Sequence, residues 1–308
     1  MNHFLMLIPK SLNSQFLNLA PISIIMRIVS KKRTRFLDQI TMSENAKEVV
    51  YMQNLIEQAA DIIIKSKLTL ALTGAGISVE SGIPDFRSAG GLWSKYDPEE
   101  YAAISAFRSD PEKVWNMLRD MNKLVNKAVP NQAHSGLAEL EKMGYLHCII
   151  TQNIDNLHQA GGSRNVIEYH GNSSTLTCLS CGRKYKAEEK QDEFIPRCEC
   201  QNILKPDVVF FGEAIPADAM HRSFELASSA QALMVVGTSA VVSPANTIPG
   251  IANENGASII EINKEKTHLT DSITQVFLQG SAGKIMSAIV EAVKRVSPAC
   301  SLTHLEKP

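Results

Sequence analysis

Apolar residues along this chain follow two spacings, one typical of helices and one typical of buried strands. Residues 52–63 carry apolar side chains at helical spacing, whereas 68–73 and 145–151 are short, nearly continuous apolar runs. Runs of this length favour strands that are buried on both faces. Further apolar runs lie at 208–211, 232–236 and 257–262, separated by helical stretches at about 216–229, 244–254 and 283–295. Because strands alternate with helices, the pattern predicts an α/β fold with a parallel sheet and helices on both faces.

The polar segments between these runs carry signals for helix ends. Asp110 followed by Pro111 predicts the start of a helix, because aspartate caps helices and proline suits the first helical position. Gly144 predicts the end of a helix over 133–143. The mixed segment 88–130 and the polar segment 172–205 interrupt the regular alternation, so we expect them to fold apart from the main sheet.

The composition limits the partners that we expect. With 308 residues and 44% hydrophobic content, the chain can bury a sizeable core, in one large domain or in one domain with a smaller insert. A net charge of -1 gives no electrostatic argument for nucleic acid. No apolar run approaches the roughly 20 residues that span a bilayer. We therefore expect a cytoplasmic protein without nucleic-acid or membrane partners.

The first 41 residues differ from the rest of the chain. They contain six lysines and arginines but no acidic residue before Asp38. This composition fits a disordered tail or a misassigned start whose true position is Met42, with an organelle transit peptide as the alternative. We favour the first two, since no cleavage-site pattern accompanies the segment. The predicted folded region is therefore 42–295, followed by a C-terminal tail at 296–308.

Four of the six cysteines form two close pairs. Cys178 and Cys181 are separated by two residues, and Cys198 and Cys200 by one, with sixteen residues between the pairs. Thiolates at such spacing suit a tetrahedral zinc with four sulfur ligands, which leaves no open position and is therefore structural. Two disulfides or four incidental thiols are the alternative. The remaining two are expected in the core and in the C-terminal tail, at Cys148 and Cys300.

The segment after the first predicted strand combines residue types that a buried core would not select. The run Gly74-Ala75-Gly76 forms a turn where backbone amides can approach a phosphate, with the next helix N-terminus adding positive potential. Alone, such a turn is a weak sign, since many strands end on glycine. Asp85, Phe86 and Arg87 then place two charged groups beside an aromatic ring. Because unpaired charges are costly to bury, this combination indicates a ligand site.

Four later strand ends also carry polar or small side chains. The segment 151–155 follows the second strand, at the edge where doubly wound sheets bind ligands. His170 follows a strand-like segment at 165–169 and is a candidate base, because imidazole accepts protons near neutral pH. Residues 237–239 and 261–263 can hold ribose or phosphate. Ordinary helix caps, loops and satisfied histidines use the same residue types, so none of these segments is decisive alone.

Taken together and in this order, these segments resemble those of the sirtuins, which are NAD-dependent protein deacylases. The resemblance extends over about residues 45–295. The matching segments are GAGIS (74–78), GIPDFRS (82–88), TQNIDNLH (151–158), HGN (170–172), the four cysteines, VVFFGE (208–213), GTS (237–239) and the region of Asn263. It implies a Rossmann-like domain and a small domain made of a zinc ribbon and a helical insert, with both substrates in the cleft between them.

The resemblance also implies how the chain is divided and which residues act. The large domain would comprise about 44–87, 131–171 and 206–295, the helical insert about 88–130 and the zinc module about 172–205. The catalytic residues would be His170 as general base, Asn153 and Asp155. The acyl-lysine peptide would be clamped through backbone pairing by Val209, Phe211 and Gly212. NAD would be bound by Gly74, Ala75, Gly76, Val79, Asp85, Phe86, Arg87, Gln152, Ile154, Asp155, Gly237, Thr238, Ser239, Asn263, Lys264 and Ala282.

The implied reaction is NAD-dependent deacetylation of protein lysines, which releases nicotinamide and 2′-O-acetyl-ADP-ribose. The amide oxygen that attacks the ribose carbon is a weak nucleophile, so positioning and exclusion of water must carry the catalysis. Sirtuins that prefer acidic acyl groups carry a Tyr and an Arg shortly after a Trp of the helical insert. Counting from Trp115, this chain has Leu118 and Met121 there, and Arg119 lies on another helix face. We therefore expect acetyl or longer apolar acyl groups as substrates rather than succinyl.

Two other functions compete with deacetylation. A mono-ADP-ribosyltransferase could use the same cleft, and a catalytically silent NAD- or ADP-ribose-binding module would lack the base or the Asn–Asp pair, which are both present. A dehydrogenase is disfavoured because the G-x-G-x-x-G spacing is absent after Gly74. The expected partners are acetylated protein lysines, and we expect a monomer with NAD as co-substrate and one structural zinc per chain.

Overall fold

The structure is a computed structural model, and it describes residues 44–88 and 90–296. The predictions for residues 1–41, for Cys300 and for the C-terminal tail beyond 296 concern residues outside that range. Residues 44–51 belong to a first unit, and residues 52–296 to a larger, compact unit that holds the fold. None of the helices in the described ranges combines the length and the apolar character needed to cross a membrane.

The described residues form strands and helices that alternate along much of the chain. The strands are β1 (Thr69–Thr73), β2 (Cys148–Thr151), β3 (Val166–Glu168), β4 (Gly171–Cys178), β5 (Lys184–Lys186), β6 (Leu204–Val208), β7 (Ala232–Val236), β8 (Ser258–Asn263) and β9 (Thr274–Gln279). The helices are α1 (Glu44–Lys65), α2 (Pro98–Tyr101), α3 (Ile104–Ser109), α4 (Pro111–Val125), α5 (Gln132–Lys142), α6 (Leu157–Ala160), α7 (Ala217–Ser229), α8 (Ile248–Glu254) and α9 (Ala282–Val296). Short 3-10 helices cover Ala75–Ser81, Leu92–Ser94, Ala187–Lys190 and Ala245–Thr247.

Six of the strands form one parallel sheet in the order β3-β2-β1-β7-β8-β9. Counted along the chain, this is the 3-2-1-4-5-6 order of Rossmann-like folds, which confirms the predicted fold class. The direction of strand addition reverses between β1 and β7. The loops that leave these two neighbouring strands therefore diverge and open a crevice at the carboxyl edge of the sheet, where such folds bind ligands.

Both faces of the parallel sheet are covered by helices, as the continuous apolar runs predict. Along β1, Ala71 faces a core shared with α1, α5 and α9, whereas Leu70 and Leu72 face a second core shared with α7 and α8. All three side chains are fully buried. Successive residues of a strand point to opposite faces of the sheet. Because both faces are buried here, the strand does not show the alternation of apolar and polar residues that a half-exposed strand has.

The remaining three strands form a small antiparallel sheet, in the order β5-β4-β6, that carries the four clustered cysteines. The helices α2, α3 and α4 pack against it. Trp115 of α4 is buried and donates a hydrogen bond from its indole N–H to the carbonyl oxygen of Leu204, at 2.9 Å. Leu118, Leu176 and Val208 lie in the same apolar cluster. The helical insert and the cysteine-bearing sheet thus share a single core.

The prediction of a parallel strand at 208–211 is wrong. The strand in this region is β6, which ends at Val208 and pairs antiparallel with β4 in the small sheet. The run is apolar because Val208 and Phe210 enter the core of the small domain, while Phe211 forms only an isolated bridge with Ala103. The edge strand β9 was not predicted, because its apolar run is only the three residues Val276, Phe277 and Leu278.

Helix boundaries follow the predicted signals closely. Asp110 caps α4, since its carboxylate accepts a hydrogen bond from the N–H of Lys113 at 3.0 Å. The predicted helix at 133–143 is α5, and the chain leaves it through Gly144, whose φ of 81° lies in the left-handed region that favours glycine. The predicted helix at 244–254 is divided into a 3-10 turn and α8, which begins at Ile248.

Candidate active site

A cleft of about 850 Å³ lies at the carboxyl edge of the parallel sheet, lined by residues of both the large and the small domain. It is lined by every residue that the sequence analysis assigned to catalysis, NAD or the peptide. These residues come from the segments that follow β1, β2, β3, β6, β7 and β8, and from the start of α9. The fold therefore brings the candidates into one place, and their individual roles remain predictions.

Glycines at the end of β1 allow two loops to meet at the switch point of the sheet. The N–H of Gly76 donates to the carbonyl of Gly237 at 2.8 Å, and the N–H of Gly74 donates to that of Val236 at 3.2 Å. A Cβ on Gly76 would lie 2.7 Å from the Gly237 oxygen. Two of the three amides in the glycine turn are thus already used within the protein. The N–H of Ala75 finds no acceptor among the described residues, which agrees with its predicted place in the NAD site.

Ser78 connects the two polar side chains that follow β2. Its hydroxyl donates to Oδ2 of Asp155 at 2.7 Å and accepts from Nδ2 of Asn153 at 3.2 Å. Asn153 also donates to the carbonyl of Gly74 at 3.2 Å. Ser78 is 1% exposed, so it fixes Asn153 and Asp155 from behind the cleft wall. Ser78 is the last residue of the GAGIS segment but is not among the predicted site residues.

A second set of contacts joins the ends of β2, β7 and β8. Nε2 of Gln152 donates to Oγ1 of Thr238 at 3.1 Å, and Nδ2 of Asn263 donates to the Thr238 carbonyl at 2.9 Å. Arg87 reaches across the cleft mouth and donates to Oγ of Ser239 at 3.1 Å. The loops that follow three different strands are therefore held in one arrangement by their own side chains.

His170 follows β3, and its ring nitrogens have different environments. Nδ1 lies 3.0 Å from the carbonyl oxygen of Gln152, which can only accept a hydrogen bond. Nδ1 therefore carries the proton in the neutral ring, and Nε2 keeps a free lone pair. Burial lowers the pKa of His170 below its ordinary value of 6.5, and the hydrogen bond to Gln152 opposes that shift. At neutral pH the side chain is an unprotonated base in the wall of the cleft.

Residues 85–88, 92 and 93 line one side of the cleft. Partial burial alone would raise the pKa of Asp85, but hydrogen bonds from the N–H groups of Ser88 and Arg87 lower it below its usual value. The rings of Phe86 and Trp93 stack with their centres 5.0 Å apart. Trp93, which has no predicted role, thus supports the ring of Phe86, one of the residues predicted to bind NAD.

The predicted peptide clamp is bonded to both neighbouring parts of the fold. The N–H of Val209 donates to the carbonyl of His170 at 2.8 Å. The N–H of Phe211 donates to the carbonyl of Ala102 at 2.8 Å, and its own carbonyl accepts from the N–H of Ile104 at 2.9 Å. The backbone of Phe211 is therefore already engaged. Its ring is 41% exposed and remains free to contact a ligand.

One wall of the cleft is apolar and belongs to α4. Leu118, Met121 and Val125 line it at helical spacing. Arg119 points away, because its guanidinium donates to the carbonyls of Glu193 and Phe194. Among the described residues, the Lys and Arg side chains that line the cleft are Arg87, Lys264 and Lys266. None of them comes from the helical insert, so the apolar wall offers no cation of its own.

The four clustered cysteines fit a metal ion. Their sulfur atoms all lie within 4.8 Å of one another, and the closest pairs, Cys181–Cys198 and Cys178–Cys200, are 3.5 and 3.6 Å apart. A tetrahedral zinc with Zn–S bonds of about 2.3 Å has sulfurs roughly 3.8 Å apart, whereas a disulfide needs about 2.05 Å. Four thiolate ligands fill the coordination sphere, so the donor set is that of a structural zinc.

The chain is similar to a protein family and to curated proteins over most of its length. The model of the Sir2 family matches residues 74–244. The NAD-dependent protein deacylase of Thermococcus sibiricus is 46% identical over 249 residues, which are 78% of this chain and 97% of that protein. The NAD-dependent protein deacylase of Pyrococcus furiosus is 46% identical over 250 residues, which are 79% of this chain and 100% of the relative.

Solved structures show the same likeness in three dimensions. One from work on the mechanism and regulation of Sir2 enzymes has a TM-score of 0.76 and 46% identity, and it covers 80% of this chain and 100% of that chain. A Sir2 homologue mutant in complex with 2′-O-acetyl ADP ribose has a TM-score of 0.74 and 43% identity, with coverage of 80% and 98%. Sir2Af2 bound to a myristoylated histone peptide has a TM-score of 0.68 and 41% identity, with coverage of 79% and 98%.

Proposed function

The chain belongs to the Sir2 family of NAD-dependent protein deacylases, and from that premise we propose that it deacetylates protein lysines with His170 as the general base. The observation that carries the assignment of the base is the hydrogen bond between Nδ1 of His170 and the Gln152 carbonyl. This bond leaves Nε2 as the proton acceptor. His170 lies in the wall of the cleft that contains both the proposed NAD site and the proposed peptide site.

The residues around the switch point would hold the dinucleotide. When bound, NAD supplies the ribose carbon from which nicotinamide leaves. Asn153 and Asp155, fixed by Ser78, would orient the nicotinamide and its ribose together with Gln152 and Ile154. Thr238, Ser239, Asn263 and Lys264 would contact the phosphates and the adenosine. The side chains are bonded to one another before the ligand arrives, so little ordering is needed on binding.

His170 would take the proton of a ribose hydroxyl after nicotinamide has left. The deprotonated oxygen then attacks the acyl carbon, whose amide oxygen is by then bonded to the ribose. Hydrolysis frees the lysine, and 2′-O-acetyl-ADP-ribose is the second product. Because burial lowers the pKa of His170, the imidazole is neutral and ready to accept a proton at pH 7. Phe86, supported by Trp93, would keep water from the reacting carbon.

The peptide would lie along residues 209–212. Since the backbone N–H groups of Val209 and Phe211 are already engaged by His170 and Ala102, strand pairing would use the carbonyl of Val209 and the N–H of Gly212, and Phe211 would contribute its exposed ring. The acyl group would extend along the apolar wall of α4, past Leu118 and Met121. A myristoylated peptide bound to the related Sir2Af2 supports acyl groups longer than acetyl as further substrates.

The zinc would be structural and would take no part in the reaction. Cys178, Cys181, Cys198 and Cys200 would hold it, and it would fix the small sheet on which the insert packs. We also propose the domain division at about 44–87, 131–171 and 206–295 for the large domain, 88–130 for the insert and 172–205 for the zinc module. Because β6 belongs to the small sheet and ends at Val208, we move the proposed boundary between the zinc module and the large domain from about 205 to about 208.

A mass-spectrometric assay with NAD and a panel of acyl-peptides tests the proposed function. We expect acetyl-lysine peptide to be converted to lysine peptide with one nicotinamide and one 2′-O-acetyl-ADP-ribose per turnover. Transfer of ADP-ribose to protein without deacylation would indicate the transferase alternative. Binding of NAD without any turnover of the panel would indicate the silent binding module. Either result would overturn the assignment as a deacetylase.

A further inference from the structure

Lys205 is a buried lysine on β6 that none of the proposed roles uses. Its side chain is 7% exposed, and Nζ lies 2.9 Å from Oε2 of Glu213. Nζ also donates to the carbonyls of Pro206 at 3.0 Å and Val208 at 2.8 Å. The three donors of the ammonium group thus have three acceptors. Lysine side chains are rarely buried unless their ammonium group is paired, and these three acceptors provide that pairing for Lys205.

Glu213 closes a turn around that ammonium group. Its Oε2 accepts from the N–H of Phe210 at 2.9 Å, and its own N–H donates to the Phe210 carbonyl at 3.0 Å. The ring of Phe210 lies under the ammonium group, with Nζ 4.6 Å from its centre. Gly212, with a φ of 82°, allows the turn. Both members of the ion pair therefore bond directly to the backbone of the segment 208–213.

That segment also touches the proposed base. Val209 donates to the carbonyl of His170, so the conformation fixed by the ion pair continues into the backbone of the catalytic residue. On its other side, Lys205 lies opposite Thr177 of β4 in the antiparallel sheet that carries the cysteines. The ion pair therefore lies where the small sheet, the peptide segment and His170 meet.

We propose that the Lys205–Glu213 ion pair positions the segment 208–213 for the acyl-lysine peptide, which makes both side chains positioning residues of the substrate site. The proposal rests on the proposed peptide role of residues 209–212. General stabilisation is a poor explanation, because a buried ion pair adds little to stability over a well-packed apolar pair. Positioning explains why each charge also bonds to the segment that faces the cleft.

The proposal is tested with Lys205→Met, Glu213→Gln and the double variant, in steady-state kinetics with NAD and an acetyl-lysine peptide. We expect the KM for the peptide to rise about tenfold in all three, which corresponds to about 1.4 kcal/mol, while the KM for NAD changes less than about twofold. Lys65→Met, which removes an exposed ion pair with Asp61 on α1, is the matched control and should change neither constant.

Thermal melting separates positioning from stability. In the double variant no unpaired charge remains buried, so its melting temperature should recover from that of Lys205→Met while its peptide KM stays high. Recovery of both quantities in the double variant would show that the pair is structural and would overturn the proposal. If Lys205→Met does not fold, Glu213→Gln alone decides, since it keeps the shape and an acceptor for Phe210. An unchanged peptide KM in folded variants of an active enzyme refutes this inference alone, whereas an inactive wild type refutes the proposed function.

Discussion

The carboxylate of Glu80 accepts a hydrogen bond from the backbone N–H of Gly283 at 2.8 Å, across 203 positions of the chain. Glu80 lies in the 3-10 helix that follows β1, and Gly283 lies in the first turn of α9. The contact satisfies one of the free N–H groups of α9 and places a negative charge at its positive end. Because Ala282 lines the cleft beside Gly283, this link fixes one side of the proposed dinucleotide site.

Replacing Glu80 by alanine should therefore weaken both the fold and NAD binding. We expect a loss of about 1 kcal/mol in the free energy of unfolding, typical of a lost helix cap, and a several-fold higher KM for NAD. Urea unfolding and steady-state kinetics measure the two effects. Glu80→Gln should keep most of the stability and of the NAD binding, since its amide oxygen can still accept the hydrogen bond from the N–H of Gly283. Glu291→Ala, at an exposed position of the same helix, is the control, and an equal effect there would refute the explanation.

His170→Ala should abolish most of the deacetylation without unfolding the protein. A general base contributes typically 10²–10⁴-fold to the rate, so we expect kcat to fall within that range. Release of nicotinamide measured by chromatography gives the rate, and binding of ADP-ribose by calorimetry verifies that the cleft is intact. His221→Ala, on the exposed face of α7, should behave like the wild type. A turnover close to wild type in His170→Ala would remove His170 from the mechanism.

The pH dependence of kcat/KM should report the lowered pKa of His170. Only the neutral imidazole accepts a proton, so activity should be complete above the pKa and fall as the pH drops through it. Because burial lowers the pKa below 6.5, we expect the acidic midpoint to lie below pH 6.5. A pH–rate profile between pH 5 and 8 measures it. An acidic midpoint above pH 7 would contradict the assigned burial and tautomer of the ring.

Acetyl-lysine should be preferred strongly over succinyl-lysine. A succinyl carboxylate beside Leu118 and Met121 would be buried without a cation, which costs several kcal/mol, so we expect roughly a hundredfold or greater ratio in kcat/KM. Competition between acetylated and succinylated forms of one peptide measures the ratio. The double variant Leu118→Tyr with Met121→Arg should narrow it. Comparable rates in the wild type would mean that a cation such as Arg119 reaches the channel.

Purified protein should contain about one zinc per chain, and Cys178→Ser should lose it together with thermal stability. Closed four-thiolate sites contribute directly to folding, and here the core of the small sheet is shared with the helical insert. Elemental analysis and thermal melting measure both effects. Cys148→Ala, at a buried cysteine outside the cluster, should keep the full zinc content. Protein without zinc and with disulfides among the four cysteines would contradict the prediction.

The sequence predicted those parts of the fold that depend on residues close together along the chain. Continuous apolar runs gave the central strands, glycine and aspartate gave the helix ends, and the spacing of four cysteines gave the metal cluster. The strand ends then indicated the cleft, because parallel strands deliver their following loops to one edge of the sheet. The resemblance to sirtuins added the individual roles, which remain to be tested by substitution.

The sequence did not reveal features that depend on distant partners. The apolar run at 208–211 is similar to a buried parallel strand, and only its pairing with β4 shows that it belongs to the small sheet. Ser78 and Lys205 have no local pattern that marks them, since a serine and a lysine are ordinary surface residues. Their importance arises from partners that only the folded chain brings close, Asp155 at 77 positions from Ser78, and Glu213, which reaches Lys205 through the turn after β6.

The hydrogen bond between Val209 and the His170 carbonyl joins two of the crossings by which the chain passes between the large and the small domain. A rotation of one domain against the other would have its hinge close to this bond, because the two crossings cannot separate without breaking it. Near a hinge, displacements are smallest. Opening and closing of the cleft would therefore move the outer rim formed by α4 by a larger distance than the imidazole of His170, so that substrates of different lengths would enter while the proposed proton acceptor stays in place.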